Sequence, residues 1–328
     1  MEALETEIYL RYKQVLKEQG ASVPQPSSCD AREVGESPAP RYTHMEDLLD
    51  RYDAFCFDGY GTLYNRGSFV YDGAQEWYTM LRAAGKQMRL ITNAASDVDS
   101  VLAADAAKRG FAFSEAETIS SGSLLKDLCV ELRSRKIGAG LGTHRDLREV
   151  YYIGRETGKH VLESCGIKAV APAAEPVEPI VAISSAKDTP ETYEQAVKIL
   201  KRLGAILLVL NSDAWAPKIP GDDGVTVREP VSGALSERLR RDSVCEANGM
   251  AGCETFYLGK PFPAIWNKVK STLAPDARVL MVGDTLGTDV LGARVAGFDS
   301  ALVVGRNVPA DELEADEMTL GIRPDWYL

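Results

Sequence analysis

Histidine is scarce in this sequence, three residues in 328, and the six cysteines at 29, 56, 129, 165, 245 and 253 form no CxxC pair. A zinc site is therefore not expected, and thiols scattered in this way read as reduced, in a cytosol. Long apolar runs are missing too. Stretches such as 205–210 fall far short of the ~20 residues that a membrane-spanning helix needs. The opening segment, MEALETEIYLRYKQ, lacks the apolar core and small-residue cleavage site of a signal peptide. Positive charge is in deficit: 37 Lys and Arg stand against 48 Asp and Glu, and the net charge of −11 repels nucleic acid and anionic lipid alike. Neither a solenoid repeat nor a low-complexity tract is found. What remains is a chain 45% hydrophobic and 26% charged, long enough for a large core and about two domains.

Residues 1–48 read as an N-terminal extension, with a helix over 4–18 and then a polar, Pro-, Ser- and Gly-rich stretch over 20–43 expected to be partly mobile. From Tyr52 onward, short β-rich apolar runs alternate with amphipathic segments, the pattern of parallel βαβ units and an α/β fold. Strands are expected over 54–57, 88–91, 117–119, 151–153, 180–183, 206–210, 255–258, 279–282 and 300–304. Apolar residues three and four apart predict helices over 73–84, 98–109, 190–203, 261–273 and 286–296. Gly85, Gly110, Gly204 and Gly297 follow four of these, where a helix end favours a left-handed residue.

Ligands of a doubly wound sheet bind beyond the carboxyl ends of its strands, so the residues ending each apolar run are the candidates for chemistry. The first run ends in Asp58-Gly59-Tyr60-Gly61-Thr62, an acid followed by glycines that let backbone N–H groups approach an anion. The second ends in Thr92-Asn93, a hydroxyl and an amide. Gly259-Lys260-Pro261 places a lysine ahead of a helix start, and Gly283-Asp284 through Asp289 places two carboxylates five apart after a buried strand. Carboxylates with one lysine and a Thr-Asn pair are a donor set for Mg²⁺ and a phosphate together.

These four segments, in this order, resemble the four motifs of the haloacid dehalogenase-like (HAD) hydrolase superfamily. The strings GAQEWYTMLRAAGKQMRLITNAAS, TISSG, VYYIG, TYEQAVKILKRLGAILLVLNSD, YLGKPFP and VGDTLGTDVLGARVAGF are closer still to its subclass IIA. That subclass carries a large α/β cap and includes p-nitrophenyl phosphatase-like and nucleotide phosphatase-like members. The resemblance spans about 52–305. It implies a doubly wound parallel-sheet core, 49–122 with 254–328, and an inserted α/β cap domain over 123–253. It further implies an Mg²⁺-dependent phosphatase of a small phosphorylated metabolite, with a homodimer possible. Asp58 would be the nucleophile, forming an aspartyl phosphate, and Thr92 and Asn93 would hydrogen-bond the phosphoryl oxygens. Lys260 would neutralise them and orient Asp58. Mg²⁺ would lie between Asp58, the backbone carbonyl of Tyr60 and Asp284, with Asp289 holding a metal-bound water.

One position departs from the pattern. Phosphatases of the family usually carry a second aspartate two residues after the nucleophile, where this chain has Tyr60. That aspartate protonates the leaving oxygen and then activates water, and a phenol with a reference pKa near 10 is a poor base at neutral pH. The expectation is low activity on substrates whose leaving group needs a proton. The 2-haloacid dehalogenases share an Asp-x-Tyr-Gly-Thr-Leu string and form the alternative reading, as does a binding or regulatory HAD protein that does not turn over. Against the dehalogenase stand Gly283-Asp284, where those enzymes resemble Ser-Asn, and the mere thirty or so residues between Asp58 and Thr92, too few for their helical cap. Asn211 and Asp213, after the cap strand 206–210, match the family's Asn-x-Asp, and either contact substrate or close a turn. His144 and His160 are expected to be structural or solvated, Trp215 and Trp266 to be core rather than base-stacking platforms, and the acidic run 311–317 to be a solvated surface.

Overall fold

Ala54–Phe57 is buried along its whole length, which requires cover on both faces of its sheet, and it lies at the sheet's centre. The computed structural model describes residues 2–21, 41–134, 147–221, 226–244 and 252–328. In it six parallel strands run in the order Trp326–Tyr327, Asp299–Leu302, Val279–Gly283, Ala54–Phe57, Gln87–Thr92, Thr118–Ser120. The order reverses direction at Ala54–Phe57, so the crevice for ligands opens beyond Phe57, between the ends of its two neighbours. A second parallel sheet runs Glu254–Tyr257, Ile206–Val209, Ile180–Ile183, Glu149–Ile153, Lys168–Ala169. It is the inserted unit anticipated from sequence, and the fold is a doubly wound α/β core with an α/β cap. Glu254–Tyr257, grouped with the core by the sequence reading, hydrogen-bonds to the second sheet instead. Between the sheets lies a two-stranded antiparallel ribbon, Trp215–Pro217 with Arg228–Pro230.

The four expected helix-closing glycines all have positive φ, between +69° and +93°. The expected helix over 286–296 divides into a π-helical turn, Leu286–Val290, and an α-helix, Leu291–Ala296. Asp289 lies in the wide turn. The acidic run 311–317 is not simply solvated: it enters the helix Leu313–Leu320, where Asp316 and Glu317 are buried. Glu317 accepts hydrogen bonds from the Tyr327 hydroxyl at 2.5 Å and from Arg323 Nε at 3.0 Å, so its charge is paired inside. Trp266 is buried in the core and Trp215 half-buried in the ribbon. His160 pairs with Glu163 on the surface, whereas His144, Cys29 and Cys245 lie outside the described residues, as does most of 20–43. No described helix is long and apolar enough to cross a membrane.

The N-terminal helix, Ala3–Glu18, is no appendage. Ile8, Tyr9, Tyr12 and Leu16 recur along one face and are buried in a cluster that also holds Leu207, Val209 and Leu239 of the cap and Leu286, Val290, Leu302 and Leu320 of the core. Polar contacts clamp it from both sides. Glu5 pairs with Arg228 at 2.8 Å, Arg11 Nε donates to the Tyr257 hydroxyl at 3.3 Å, and Lys13 Nζ donates to the Leu320 carbonyl at 2.5 Å. The helix thus fills the seam between cap and core.

Candidate active site

Three strand ends meet in the crevice. Asp58 follows Ala54–Phe57, Thr92 ends Gln87–Thr92, and Asp284 follows Val279–Gly283. Lys260 arrives from the cap side, three residues beyond Glu254–Tyr257, and is almost fully buried. Its Nζ donates to Asp58 Oδ1 at 2.5 Å, to Asp289 Oδ1 at 2.7 Å and to the Ile91 carbonyl at 3.1 Å. The ammonium therefore has all three donors engaged and a fixed position. Asp289 Oδ2 accepts the backbone N–H groups of Asp284 and Thr285, each at 3.1 Å, which folds the loop around the turn. Thr285 Oγ1 donates to Asp284 Oδ1 at 3.1 Å and itself accepts from Asn307 Nδ2 at 2.8 Å.

Asp58, Asp284 and Asp289 each bring a carboxylate oxygen within 4.8 Å of the others, and all three are buried. One lysine among three carboxylates leaves two negative charges uncompensated. The consequence is visible in their acidities: burial first, then Asp289 and Asp213, push Asp58 up to about 7 against the opposing pull of Lys260. Burial first, then Asp58 and Asp289, raise Asp284 well above the carboxylate range. Burial opposes the Lys260 charge, but Asp289, Asp58 and Asp213 outweigh it and raise that pKa. The residues fit a hard divalent cation, because Asp284 Oδ2 is buried without a hydrogen-bond partner among the described residues and is open for one. The space for it is conserved by Gly61, whose φ of +99° and lack of a side chain avoid a collision with that same oxygen.

Thr92 is buried, its Oγ1 accepting from the Ala94 N–H at 3.1 Å, and it lines a cavity of about 570 Å³ between core and cap. Asp58, Tyr60, Asn211 and Asp213 line the same cavity. The Asn93 amide, expected to hydrogen-bond the phosphoryl oxygens, makes its hydrogen bonds within the protein. Its Nδ2 donates to Asp213 Oδ1 at 2.8 Å and to the Lys260 carbonyl at 3.1 Å, and its Oδ1 accepts the Lys260 N–H at 2.7 Å. The amide thus joins cap to core. Asn211 Oδ1 accepts from the Asp213 N–H at 2.8 Å, the turn that closes the cap strand, although the residue also reaches the cavity. The Tyr60 ring packs edge-on to Tyr64 at 5.1 Å, and its hydroxyl points to Asp105, 3.5 Å away. Burial, then Asp105, raises its pKa further. Less of it is ionised at neutral pH than of a free phenol.

Sequence reasoning did not find Ser212, Tyr9 or Tyr12. Ser212 is buried, donates to the Lys260 carbonyl and accepts the Tyr12 hydroxyl at its own carbonyl at 2.6 Å, so the N-terminal helix braces the loop that carries Asp213. Tyr9 packs its ring against Gly287, where a side chain would collide with it. The recurrence of Ile8, Tyr12 and Leu16 was the available signal for a buried face, but it does not name the surface that receives it.

Two family models match the chain: one described as haloacid dehalogenase-like hydrolase over residues 55–168, and one described as HAD-hydrolase-like over 257–328. Chronophin from Mus musculus is 26% identical over 290 residues, covering 87% of this chain and 92% of its own. Among solved structures, a possible sugar phosphatase of the HAD superfamily from Cytophaga hutchinsonii superposes with a TM-score of 0.70 at 23% identity, over 88% of this chain and 97% of its own. A glycerol phosphate phosphatase from Mycobacterium tuberculosis, solved in complex with magnesium, gives a TM-score of 0.62 at 22% identity, over 86% and 76% respectively.

Proposed function

The chain belongs to the haloacid dehalogenase-like hydrolase superfamily and is a hydrolase of the phosphatase kind, and on that premise we propose that it is an Mg²⁺-dependent phosphomonoesterase of a small phosphorylated metabolite, acting in the cytosol through an aspartyl phosphate on Asp58. The observation carrying this reading is the buried cluster of Asp58, Asp284 and Asp289 around one Lys260, with the Asp284 oxygen left over. Core residues 49–122 and 254–328 supply this chemistry, and the cap over 123–253 covers it, its sheet completed by Glu254–Tyr257.

Asp58, Asp284 and the Tyr60 carbonyl would hold a divalent cation, with Asp289 beside them, and the cation would supply the positive charge that lets an anionic nucleophile approach an anionic phosphate. Lys260 fixes the Asp58 carboxylate by its 2.5 Å hydrogen bond and screens the phosphoryl oxygens. Thr92 Oγ1 and the Asn93 N–H receive those oxygens from the opposite strand end. Asp58 then attacks phosphorus in line, and the leaving oxygen departs toward the cap cavity. A dehalogenase reading has no use for Asp284, whose buried carboxylate with a free oxygen is unfavourable without a cation. The printed names of the phosphatase relatives agree with phosphoryl transfer.

Hydrolysis of p-nitrophenyl phosphate, whose leaving group needs little protonation, is the direct test. We expect turnover with Mg²⁺, its loss in EDTA, and recovery when Mg²⁺ is restored. Full activity in EDTA, or halide release from 2-chloropropionate without metal in place of phosphate release, contradicts the reading. Tyr60→Phe should leave the p-nitrophenyl phosphate rate within about threefold, since the hydroxyl faces Asp105 rather than the reacting centre.

A further inference from the structure

We propose that Asp213, carried by the cap, is the general acid and base of the reaction, in the role for which the motif around Asp58 offers only Tyr60. This inference rests on the phosphatase reading above and goes beyond it. Asp213 lines the cavity together with Asp58 and Tyr60, and its Oδ1 is held by Asn93 Nδ2 at 2.8 Å, next to the strand end that receives the phosphate. Its Oδ2 has no hydrogen-bond partner among the described residues and remains available to the cavity. The backbone that carries the side chain is set in place from three directions. Asn211 Oδ1 accepts the Asp213 N–H at 2.8 Å, the Gly233 N–H donates to the Asp213 carbonyl at 2.7 Å, and Tyr12 holds the preceding carbonyl at 2.6 Å.

The other acids of the cavity are otherwise engaged. Asp105 pairs with Arg109 at 2.5 Å and Glu229 pairs with Arg66 and Lys218. Asp97 is half-buried and lies near Arg155, Asp105 and His160. Only Asp213 among these is felt by Asp58 and by Lys260. The groups that face Asp213 are Lys260 and Asp289 from the core site, Asn93 beside it, Asp58, and the Tyr9 and Tyr12 hydroxyls of the N-terminal helix. Burial first, with Asp289 adding and Lys260 and Asn93 opposing, pushes its carboxyl up to about 6. A dianionic phosphate nearby adds repulsion in the same direction and favours the protonated acid in the substrate complex.

The proton balance is complete. Asp58 Oδ forms a bond to phosphorus, the bond from phosphorus to the leaving oxygen breaks with its electron pair going to oxygen, and the Asp213 O–H proton passes to that oxygen to release an alcohol. The Asp213 carboxylate then takes a proton from water as the water oxygen bonds to phosphorus. The bond from phosphorus to Asp58 breaks, its pair returning to the carboxylate, and inorganic phosphate leaves with Asp213 protonated again. The scheme needs no oxidant or further reactant.

Asp213→Asn retains an oxygen for Asn93 and removes the transferable proton. Rates on a series of phosphate monoesters, from aryl to alkyl, should depend weakly on leaving-group pKa in the wild type and steeply in Asp213→Asn. The alkyl members should lose roughly 10²-fold or more. Stopped-flow with p-nitrophenyl phosphate should still show a nitrophenolate burst near one per site in the variant, which also reports that it is folded. Asp213→Glu keeps a carboxyl and should restore part of the alkyl rate. An unchanged leaving-group slope in Asp213→Asn, or a uniform loss on all esters without a burst, overturns the assignment. A readout independent of turnover separates this from the phosphatase reading: calorimetric binding of tungstate with Mg²⁺, in buffers of different ionisation enthalpy near pH 7. The wild type should take up a proton that Asp213→Asn does not. Equal uptake in both overturns the role of Asp213, whereas absence of turnover on every ester with normal uptake overturns the phosphatase reading alone.

Discussion

Asp58→Asn should lower phosphatase turnover by a factor on the order of 10⁴ or more while making the chelated protein more stable, not less, at pH 8. The rate is lost because an amide is no nucleophile, although it fills the same space. The gain in stability follows from the electrostatics. The Asp58 pKa is raised in the folded protein to about 7, above its value of about 4 in an unfolded chain. A carboxyl raised in this sense contributes stability that is fully present below pH 4 and lost as pH rises to 7, so above pH 7 the wild-type cluster carries the full repulsion. The variant does not. Adding Mg²⁺ should reverse the order, raising the wild-type Tm more than that of Asp58→Asn, because a ligand that binds only the folded state stabilises it by mass action. Thermal melts at pH 8 in EDTA and in Mg²⁺ check both signs. A wild type insensitive to Mg²⁺ would show that the three carboxylates hold no cation.

Removal of residues 1–21 should cost stability and activity together, although no described residue among them lies in the candidate site. Ile8, Tyr9, Tyr12 and Leu16 are essentially inaccessible to solvent, and each buried side chain of this size contributes about 1.5–3 kcal/mol. Their loss opens the seam between cap and core and frees the Ser212 carbonyl that Tyr12 holds. Expected are a truncated chain that aggregates or melts far below the full protein, and phosphatase activity below a tenth of normal. A finer probe, Tyr12→Ala, should cost about 3–5 kcal/mol in denaturant titration. A truncated protein with the parent Tm and rate would mean that the helix only decorates the surface.

The candidate site residues were legible because of where they stand. Asp58, Thr92 and Asp284 each follow an apolar run too short for a helix, and a parallel sheet brings such ends together whatever the loops between them do. Lys260 could be placed by the motif around it. Asn93 was legible as a candidate site residue but its contacts were not, since they depend on Lys260 and Asp213 arriving from 167 and 120 residues away. The same distance problem hid the partner of the N-terminal helix: the Tyr12 contact with Ser212 spans 200 residues, and the sequence shows only that one face is apolar. Glu317 was misjudged for a related reason. Its run of acidic neighbours resembles a solvated face until Tyr327 and Arg323 are seen to enclose it. Tyr60 stands out in the sequence as a departure from the family pattern, and only the folded chain shows that Asp213 lines the same cavity.

The claim on which the rest depends is that Asp58 carries the phosphoryl group, and borohydride trapping addresses it directly. The enzyme is mixed with Mg²⁺ and excess p-nitrophenyl phosphate, quenched in acid during turnover, reduced with borohydride, digested and sequenced by mass spectrometry. An acyl phosphate at Asp58 is reduced to the corresponding alcohol, so residue 58 should appear as homoserine in the treated sample and as aspartate when substrate is omitted. Reduction at a different carboxylate, or none at residue 58 in a sample shown to be turning over, would contradict the account.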